Sequence, residues 1–163
     1  MLLLNTVKDF DQFAAHIQNL IAANPDSIDF GDFGTGTSLE WIEKAQTRLK
    51  VVFPASYCWW LQHYGGGQIY GDEVFSIYEQ DFDQVVGGDV VYMNELARRR
   101  QWPAEHLQIM RTDQAQDFYI DLTQVIGATE SPVYVSQGKN TRLYAANFFD
   151  FLEKQLADTY LTF

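Results

Sequence analysis

The sequence contains a single cysteine, Cys58, so no intramolecular disulfide can form. No stretch approaches the roughly 20 apolar residues that span a bilayer. The chain begins MLLLNTVKDF, which has three leucines but lacks the basic region and the longer apolar run of a secretion signal. These absences argue against an exported or membrane-spanning protein and predict a soluble, cytoplasmic one.

Basic residues are also scarce, since 11 Lys and Arg stand against 22 Asp and Glu, for a net charge of −11. This balance argues against direct binding to nucleic acid or to an anionic membrane and favours a basic partner. The chain is 47% hydrophobic and 15% aromatic, which predicts a packed globule. We divide its 163 residues into an N-terminal helix and connection, 1–36, and a main domain, 37–163, expected to form one compact unit.

Apolar spacing of three and four residues predicts a first helix from about Val7 to Ala23. The Gly-, Asp- and Thr-rich stretch IDFGDFGTGT predicts an irregular connection after it. Thr37 and Glu40 have the spacing of a capping box and predict the start of a second helix. The buried stripe expected on that helix is Leu39, Ile42, Ala45 and Leu49.

A third helix, begun at Pro54, carries the adjacent pair Trp59 and Trp60 and ends at Gly65. Neighbouring residues on a helix point about 100° apart, so the two rings cannot face the same core. The periodicity places Trp60 in the core and Trp59 toward the flank or outside. Trp59 is therefore a candidate for contact with a partner.

Strand patterns occupy the second half of the chain. Residues 68–70 and 74–78 are predicted strands separated by a turn at 71–73, and 107–112, 118–122 and 133–136 alternate in the same manner. Helices are predicted from about Val90 to Arg100 and along a last apolar stripe from Ala145 to Leu156. This order predicts an α+β fold with a mixed or antiparallel sheet packed with helices.

Motifs for catalysis or for metal and cofactor binding are weak. The three glycines from Gly65 to Gly67 follow a helix, whereas a phosphate-binding loop must lead into one. The three histidines are scattered singly, and Cys58 and His63 lie about 140° apart around their helix. We therefore predict no catalytic, metal or cofactor-binding residues, and a small enzyme ranks last among the functional hypotheses.

One charge feature is unusual: no Lys or Arg occurs between Lys50 and Arg98. Seven acidic residues fall in this interval, which is either an ordinary solvated face or a surface that complements a basic partner. Aromatic residues beside such acids are typical of binding hot spots. The predicted partner-binding residues are Trp59, Tyr70, Asp72, Glu73, Glu79, Asp81 and Asp83.

Three segments in order resemble the SUKH superfamily of Smi/Knr-type domains. They are 53–77, with its helix, triple glycine and strand pair, then DFYIDL at 117–122, and NFFDFL at 147–152. Phe53 and Trp60 replace the leucine and phenylalanine usual in the family, and the DQAQD stretch is less acidic and glycine-rich than the family's hairpin. The resemblance runs from about Ser38 to Leu156, and the helix of residues 7–23 lies outside it.

The superfamily includes bacterial immunity proteins of polymorphic toxin systems and fungal regulators of cell-wall synthesis, and it has no catalytic residues to carry over. The resemblance therefore implies an α+β domain that binds another protein. The leading hypothesis is a cytoplasmic immunity protein that neutralises a cognate toxin, such as a nuclease with a cationic cleft. The alternative is a non-enzymatic regulatory or scaffold module that binds a cellular protein.

Overall fold

A computed structural model of the protein describes residues 7–157, with side chains from residue 9 onward. The MLLLNT start and the last six residues of the predicted 37–163 unit lie outside the described residues. The helices are α1 (Val7–Ala23), α2 (Leu39–Leu49), α3 (Ala55–Tyr64), α4 (Val90–Arg99) and α5 (Phe148–Ala157). The strands are β1 (Ile28–Phe30), β2 (Gly67–Ile69), β3 (Asp72–Val74), β4 (His106–Arg111), β5 (Asp117–Asp121), β6 (Val133–Gln137) and β7 (Asn140–Ala145).

The seven described strands form one sheet in which every strand pairs antiparallel with its neighbours in sequence. The predicted α+β class is confirmed, and the sheet is antiparallel rather than mixed. Two of these strands, β1 and β7, are not predicted from the sequence. β1 lies in the stretch interpreted as an irregular connection, and β7 includes Ala145, which was assigned to the last helix.

The core lies between the sheet and the helices. Trp60 and Tyr57 of α3 are completely buried, and Tyr57 packs edge-on against Phe148 of α5 with ring centroids 5.1 Å apart. The predicted assignment of Trp60 to the core is confirmed. α1 joins the same layer, since its Phe10 lies 5.2 Å from Phe149 of α5.

α2 starts differently from the prediction. Thr37 is buried and its N–H donates to Leu61 O at 2.7 Å, while Ser38 is the N-cap and its hydroxyl accepts from Trp41 N. The predicted capping box at Thr37 is therefore wrong. Leu39, expected in the buried stripe, is 63% exposed because it occupies the first helical position, beyond the packed turns.

The chain after α3 also departs from the prediction. Gly65 has φ 75° and its N–H donates to Leu61 O, which confirms the left-handed helix stop. The following turn is at Tyr70 and Gly71, both with positive φ, so the predictions of Tyr70 in a strand and of Asp72 and Glu73 in the turn are wrong. The predicted strand 74–78 is also wrong, since β3 ends at Val74. Ser76 bonds the start of α4 instead: its N–H donates to Gly88 O, and its carbonyl accepts from Val90 N.

Candidate functional site

The acidic stretch after β3 is held in place by a buried carboxylate. Asp89 caps α4, with Oδ1 accepting from Val91 N at 2.9 Å and from Tyr92 N at 3.0 Å. Its second oxygen accepts from Tyr78 N at 3.0 Å. One fully buried side chain thus fixes both the start of α4 and the start of the segment 78–85.

Tyr78 connects this segment to β3. Its hydroxyl donates to Glu73 Oε1 and accepts from Gly88 N at 2.8 Å. Burial and the neighbouring Glu73 carboxylate raise the pKa of Tyr78 to about 12, so the phenol stays a donor at neutral pH. The Glu73 carboxyl group is therefore held at a defined position by a neutral hydrogen-bond donor.

Glu73 lines a cleft of about 510 Å³ between the glycine segment and the residues that follow β3. We call it the glycine cleft; it is lined by 35–37, 64–67, Glu73 and 76–80. Glycines occupy the positions where the walls of the cleft approach each other. A Cβ on Gly66 would lie 2.6 Å from Ser76 Oγ, and one on Gly36 would clash with the carbonyl of Gln62. The glycines thus serve close packing of the cleft walls.

Glu79 stands on the rim of the glycine cleft. It is exposed, and its Oε1 accepts from Ser38 N at 3.1 Å, which joins the segment to the start of α2. Asp81 follows in a turn in which its carbonyl accepts from Gln84 N and Val85 N, and its Oδ1 accepts from Asp83 N at 2.9 Å. These bonds order the segment, and the side chains of Glu79 and Asp81 are exposed to solvent on it.

A second concavity, of about 670 Å³, lies on the other side of this turn. It is bounded by 40–48 of α2 and by Asp81 and Phe82, and we call it the Trp41–Phe82 groove. Arg48 lies beside it, with Nη2 2.8 Å from Asp83 Oδ1 and Nε 2.6 Å from Glu95 Oε1. These two carboxylates raise the pKa of Arg48 further, so the guanidinium is a permanent cation within an acidic surface.

We call the two concavities and the segment between them the acidic face, because carboxylates outnumber cations there. Its carboxylates are Glu40, Glu43, Glu73, Glu79, Asp81, Asp83 and Glu95. Four of the seven predicted partner-binding residues, Glu73, Glu79, Asp81 and Asp83, belong to it. The structure places Glu79, Asp81 and Asp83 on the segment 78–85, and Glu73 is joined to this segment by the Tyr78 hydroxyl.

Tyr70 and Asp72 lie apart from that turn, in and after the β2–β3 connection. Tyr70 is 53% exposed, and its hydroxyl donates to Leu156 O of α5 at 3.3 Å. Asp72 is half-buried, and burial raises its pKa, while a hydrogen bond from the Asp113 backbone opposes this shift. Asp72 and Glu73 are consecutive in a strand, so their side chains point to opposite faces of the sheet.

Trp59 is half-buried on the flank of α3 rather than projecting from it. Its ring lies edge-on to Phe149 of α5 at 5.3 Å and 5.0 Å from His63, and Phe33 lies at 6.2 Å. Phe33 itself stacks on His63 at 4.7 Å and is 45% exposed. Contacts within the chain therefore account for much of the Trp59 surface, and its role toward a partner stays a prediction.

Sequence reasoning missed Trp41, Phe82 and Arg48. Trp41 carries the same signal that singled out Trp59, because it is a large aromatic residue next to, and not on, the buried stripe of its helix. Phe82 is an aromatic residue inside the acidic interval. Arg48 gave no signal, since its pairing with Asp83 joins residues 35 positions apart.

The nucleophile and metal candidates have plain structural environments. Burial, aided by the Glu130 charge, raises the pKa of Cys58 to about 11, which keeps the thiol protonated and weakly nucleophilic. Within residues 7–157, no three His, Cys, Asp or Glu side chains are grouped so as to hold a metal ion. None of the helices in that same range has the length and apolar character needed to cross a membrane.

Comparison with known proteins gives one result that extends over most of this fold. The search of curated proteins gave no match. A family model described as SMI1-KNR4 cell-wall (SUKH_6) matches residues 39–152, from the start of α2 into α5. That span includes every carboxylate of the acidic face and well over half of the chain, so the protein belongs to the SUKH (SMI1-KNR4) family.

Proposed function

We propose that this protein is a cytoplasmic immunity protein that neutralises a cognate toxin by stoichiometric binding, and that the toxin presents a basic surface to the acidic face. Membership of the SUKH family supports the proposal, because the family consists in general of non-enzymatic immunity and regulatory domains that act through protein–protein interaction. No cofactor, nucleic acid or membrane takes part in the proposed function.

The observation that carries the proposal is the position of Glu79 and Asp81. Both are exposed on the segment 78–85, Glu79 on the rim of the glycine cleft and Asp81 on the rim of the Trp41–Phe82 groove. An acidic interval that was only a solvated face would need no such concavities on either side. Clefts beside fixed charges of one sign raise the local concentration of oppositely charged groups.

The net charge of −11 assigns a kinetic role to this surface. Complementary charge accelerates diffusional encounter, whereas burial of apolar and aromatic groups at the centre of an interface slows dissociation. A toxin that acts on a polyanion needs a cationic cleft, and an acidic protein that covers this cleft blocks access of the substrate. Neutralisation then requires binding alone, with no chemistry on the toxin.

The proposed contacts are the full predicted set, with the acidic face at its centre. Glu79, Asp81 and Asp83 are central because they lie on the segment 78–85 between the two concavities, and Glu73 of β3 lines the glycine cleft beside them. Tyr70 is an exposed aromatic residue beside Asp72 at the edge of the set, and Trp59 contributes through the exposed part of its ring.

The test is co-expression of this protein with the product of the adjacent gene, scored both for rescue of growth and for co-purification at low and at high salt. We expect rescue, and a complex that weakens as salt rises because exposed charges are screened beyond about 10 Å at 0.1 M salt. The double variant Glu79→Lys/Asp81→Lys should slow association at low salt by about tenfold or more.

A matched control changes the net charge by the same amount elsewhere. Asp11→Lys/Asp26→Lys places the same two reversals at exposed positions of α1 and the loop after it. It should associate nearly as fast as the unmodified protein. If both double variants slowed association equally, the cause would be the overall charge of the protein and not the acidic face. A folded protein that neither rescues nor co-purifies would favour the regulatory or scaffold alternative.

A further inference from the structure

The Trp41–Phe82 groove has an aromatic floor that the described part of the chain leaves partly uncovered. The Trp41 and Phe82 rings meet edge to face, with centroids 5.6 Å apart and planes at 85°. Both side chains are half-buried, and both line the concavity of about 670 Å³. A pair of aromatic rings that retains exposed surface inside a concavity has the form of a site for an apolar side chain.

The local structure holds each ring there. Ile42, the neighbour of Trp41, is buried in the core, and the helical rotation of about 100° turns Trp41 onto the adjacent face. Phe82 lies in the turn that Asp81 forms by accepting from Val85 N, and Val85 is buried and anchors that turn. The two rings are therefore positioned by separate elements that are each fixed independently.

The rim of the groove is anionic. Five carboxylates lie on or beside it, Glu40, Glu43, Asp81, Asp83 and Glu95, against two cations, Lys44 and Arg48. Both cations are already paired: Lys44 Nζ is 2.8 Å from Glu40 and 4.6 Å from the Trp41 ring centroid, and Arg48 bridges Asp83 and Glu95. The excess negative charge is thus left for a partner.

We propose that the Trp41–Phe82 groove binds a segment of the partner protein in which aliphatic side chains are flanked by arginine or lysine. The aliphatic groups would cover the exposed parts of both rings, and the flanking cations would face the rim carboxylates. This arrangement of an apolar centre and a charged rim is that of a protein-binding hot spot. The inference rests on the proposed function, since it names the part of the acidic face that recognises the toxin.

The first test uses two synthetic peptides of equal charge. One has two leucines flanked on both sides by arginines, and the other has serines in place of the leucines. Each is titrated into the ¹⁵N-labelled protein, and the indole signals of the four tryptophans are followed by NMR, with the Trp41 signal assigned from Trp41→Phe. We expect the leucine peptide to shift the Trp41 indole and to bind about tenfold more tightly than the serine peptide.

The second test removes the floor of the groove. Phe82→Ala should abolish the preference for the leucine peptide and leave the weaker, charge-driven binding of both peptides. Leu143→Ala is the matched control, because Leu143 is an exposed apolar residue, 45% accessible, on β7 and outside the groove. This control should bind both peptides as the unmodified protein does. The shift of the Trp41 signal is measured in the unmodified protein, so it tests the groove even if Phe82→Ala fails to fold.

The outcomes separate this inference from the proposed function. Equal binding of the two peptides without a shift of the Trp41 signal would overturn the proposed binding site in the groove and leave toxin neutralisation by charge intact. The same conclusion would follow if neither peptide bound but the co-expression test showed rescue. Absence of rescue together with selective binding of the leucine peptide would instead exclude the toxin as the partner and retain the groove as a binding site. A preference that persists in Phe82→Ala would also overturn the inference.

Discussion

Helices α2 and α3 each carry a tryptophan beside the buried stripe, yet the two rings have different surroundings. Trp59 of α3 is contacted by Phe149 of α5, by Phe33 of the loop after β1 and by His63 of its own helix. Trp41 of α2 meets one aromatic ring, that of Phe82, and a lysine ammonium group. The sequence signal is the same in both helices, so the elements that pack over the ring decide whether it becomes structural or remains available to a partner.

The charges around the two helices differ in the same sense. The start of α3 contacts one buried carboxylate, Glu130, which is fully used by the chain: Oε2 accepts from Ser56 N at 3.1 Å, and Oε1 accepts from the Ser56 hydroxyl. Carboxylates around α2 are exposed and exceed the cations. The surroundings of α3 thus serve stability, and those of α2 are free to serve binding.

The largest expected effect on stability distinguishes the fully buried tryptophan of α3 from the half-buried tryptophan of α2. Trp60→Ala should lower the free energy of unfolding by ~3–5 kcal/mol, because it empties the space of the largest completely buried side chain. Trp41→Ala, which removes a half-buried ring, should cost much less. Urea unfolding followed by circular dichroism measures both values. Similar losses for the two variants would contradict the contrast between α2 and α3.

Trp59→Ala is the sharper test, because it bears on both stability and binding. The contacts of Trp59 with Phe149 and His63 lead us to expect a loss of about 2–3 kcal/mol in unfolding free energy. If Trp59 is also a contact residue, binding to the toxin should weaken by ~2 kcal/mol. Calorimetry with the folded variant, below its unfolding temperature, measures the binding part. Unchanged affinity would make Trp59 a purely structural residue.

Glu130→Ala should cost ~1–3 kcal/mol, because the buried N–H and hydroxyl of Ser56 would lose their acceptors. Glu130→Gln retains an acceptor oxygen and should lose less. Denaturant unfolding of the two variants at one pH provides the comparison, and an equal loss would mean that side-chain volume, and not the acceptor, is what matters at this position.

The pH dependence of Glu130 has a defined sign. Burial raises its pKa in the folded protein, whereas the unfolded chain ionises in the ordinary glutamate range. Between the two pKa values the folded state holds a proton that the unfolded state has lost, so stability falls as pH rises through that window. The Glu130→Gln variant should lack this fall, and unfolding curves across the acidic range measure the difference. A stability gap that stays constant with pH would contradict it.

The parts of the fold that the sequence predicts are those with a local cause. The apolar periodicity of α1 predicts its bounds, and Gly65 marks the end of α3 through its left-handed conformation. β1 has only three residues, and its existence depends on β2, where a Cβ on Gly67 would clash with the backbone of Asp29 and Phe30. β7 is an edge strand whose first four residues are mostly exposed, so no alternating pattern marks it.

The same distinction applies to the acidic face. The absence of Lys and Arg between Lys50 and Arg98 correctly indicates an acidic segment, since charge is read directly from the sequence. The arrival of Arg48 from α2, and the pairing of Trp41 with Phe82, depend on tertiary packing across about 40 residues. The sequence therefore predicts the sign of this surface, and only the fold reveals its grooves and its internal cation.

The smallest expected effect on stability tests the role of that internal cation. Arg48→Gln removes an exposed ion-pair partner, so unfolding should change little, whereas Asp83 and Glu95 would stand without the guanidinium between them. Association with a basic toxin should become faster at low salt, and the gain should vanish at high salt. Arg111→Gln is the matched control, because it makes the same change in net charge at the Asp117 ion pair between β4 and β5. Stopped-flow association rates for the two variants separate a local effect from a global one. Faster association of Arg48→Gln alone would locate the encounter on the α2 side of the molecule, and equal acceleration would assign it to the charge of the whole chain.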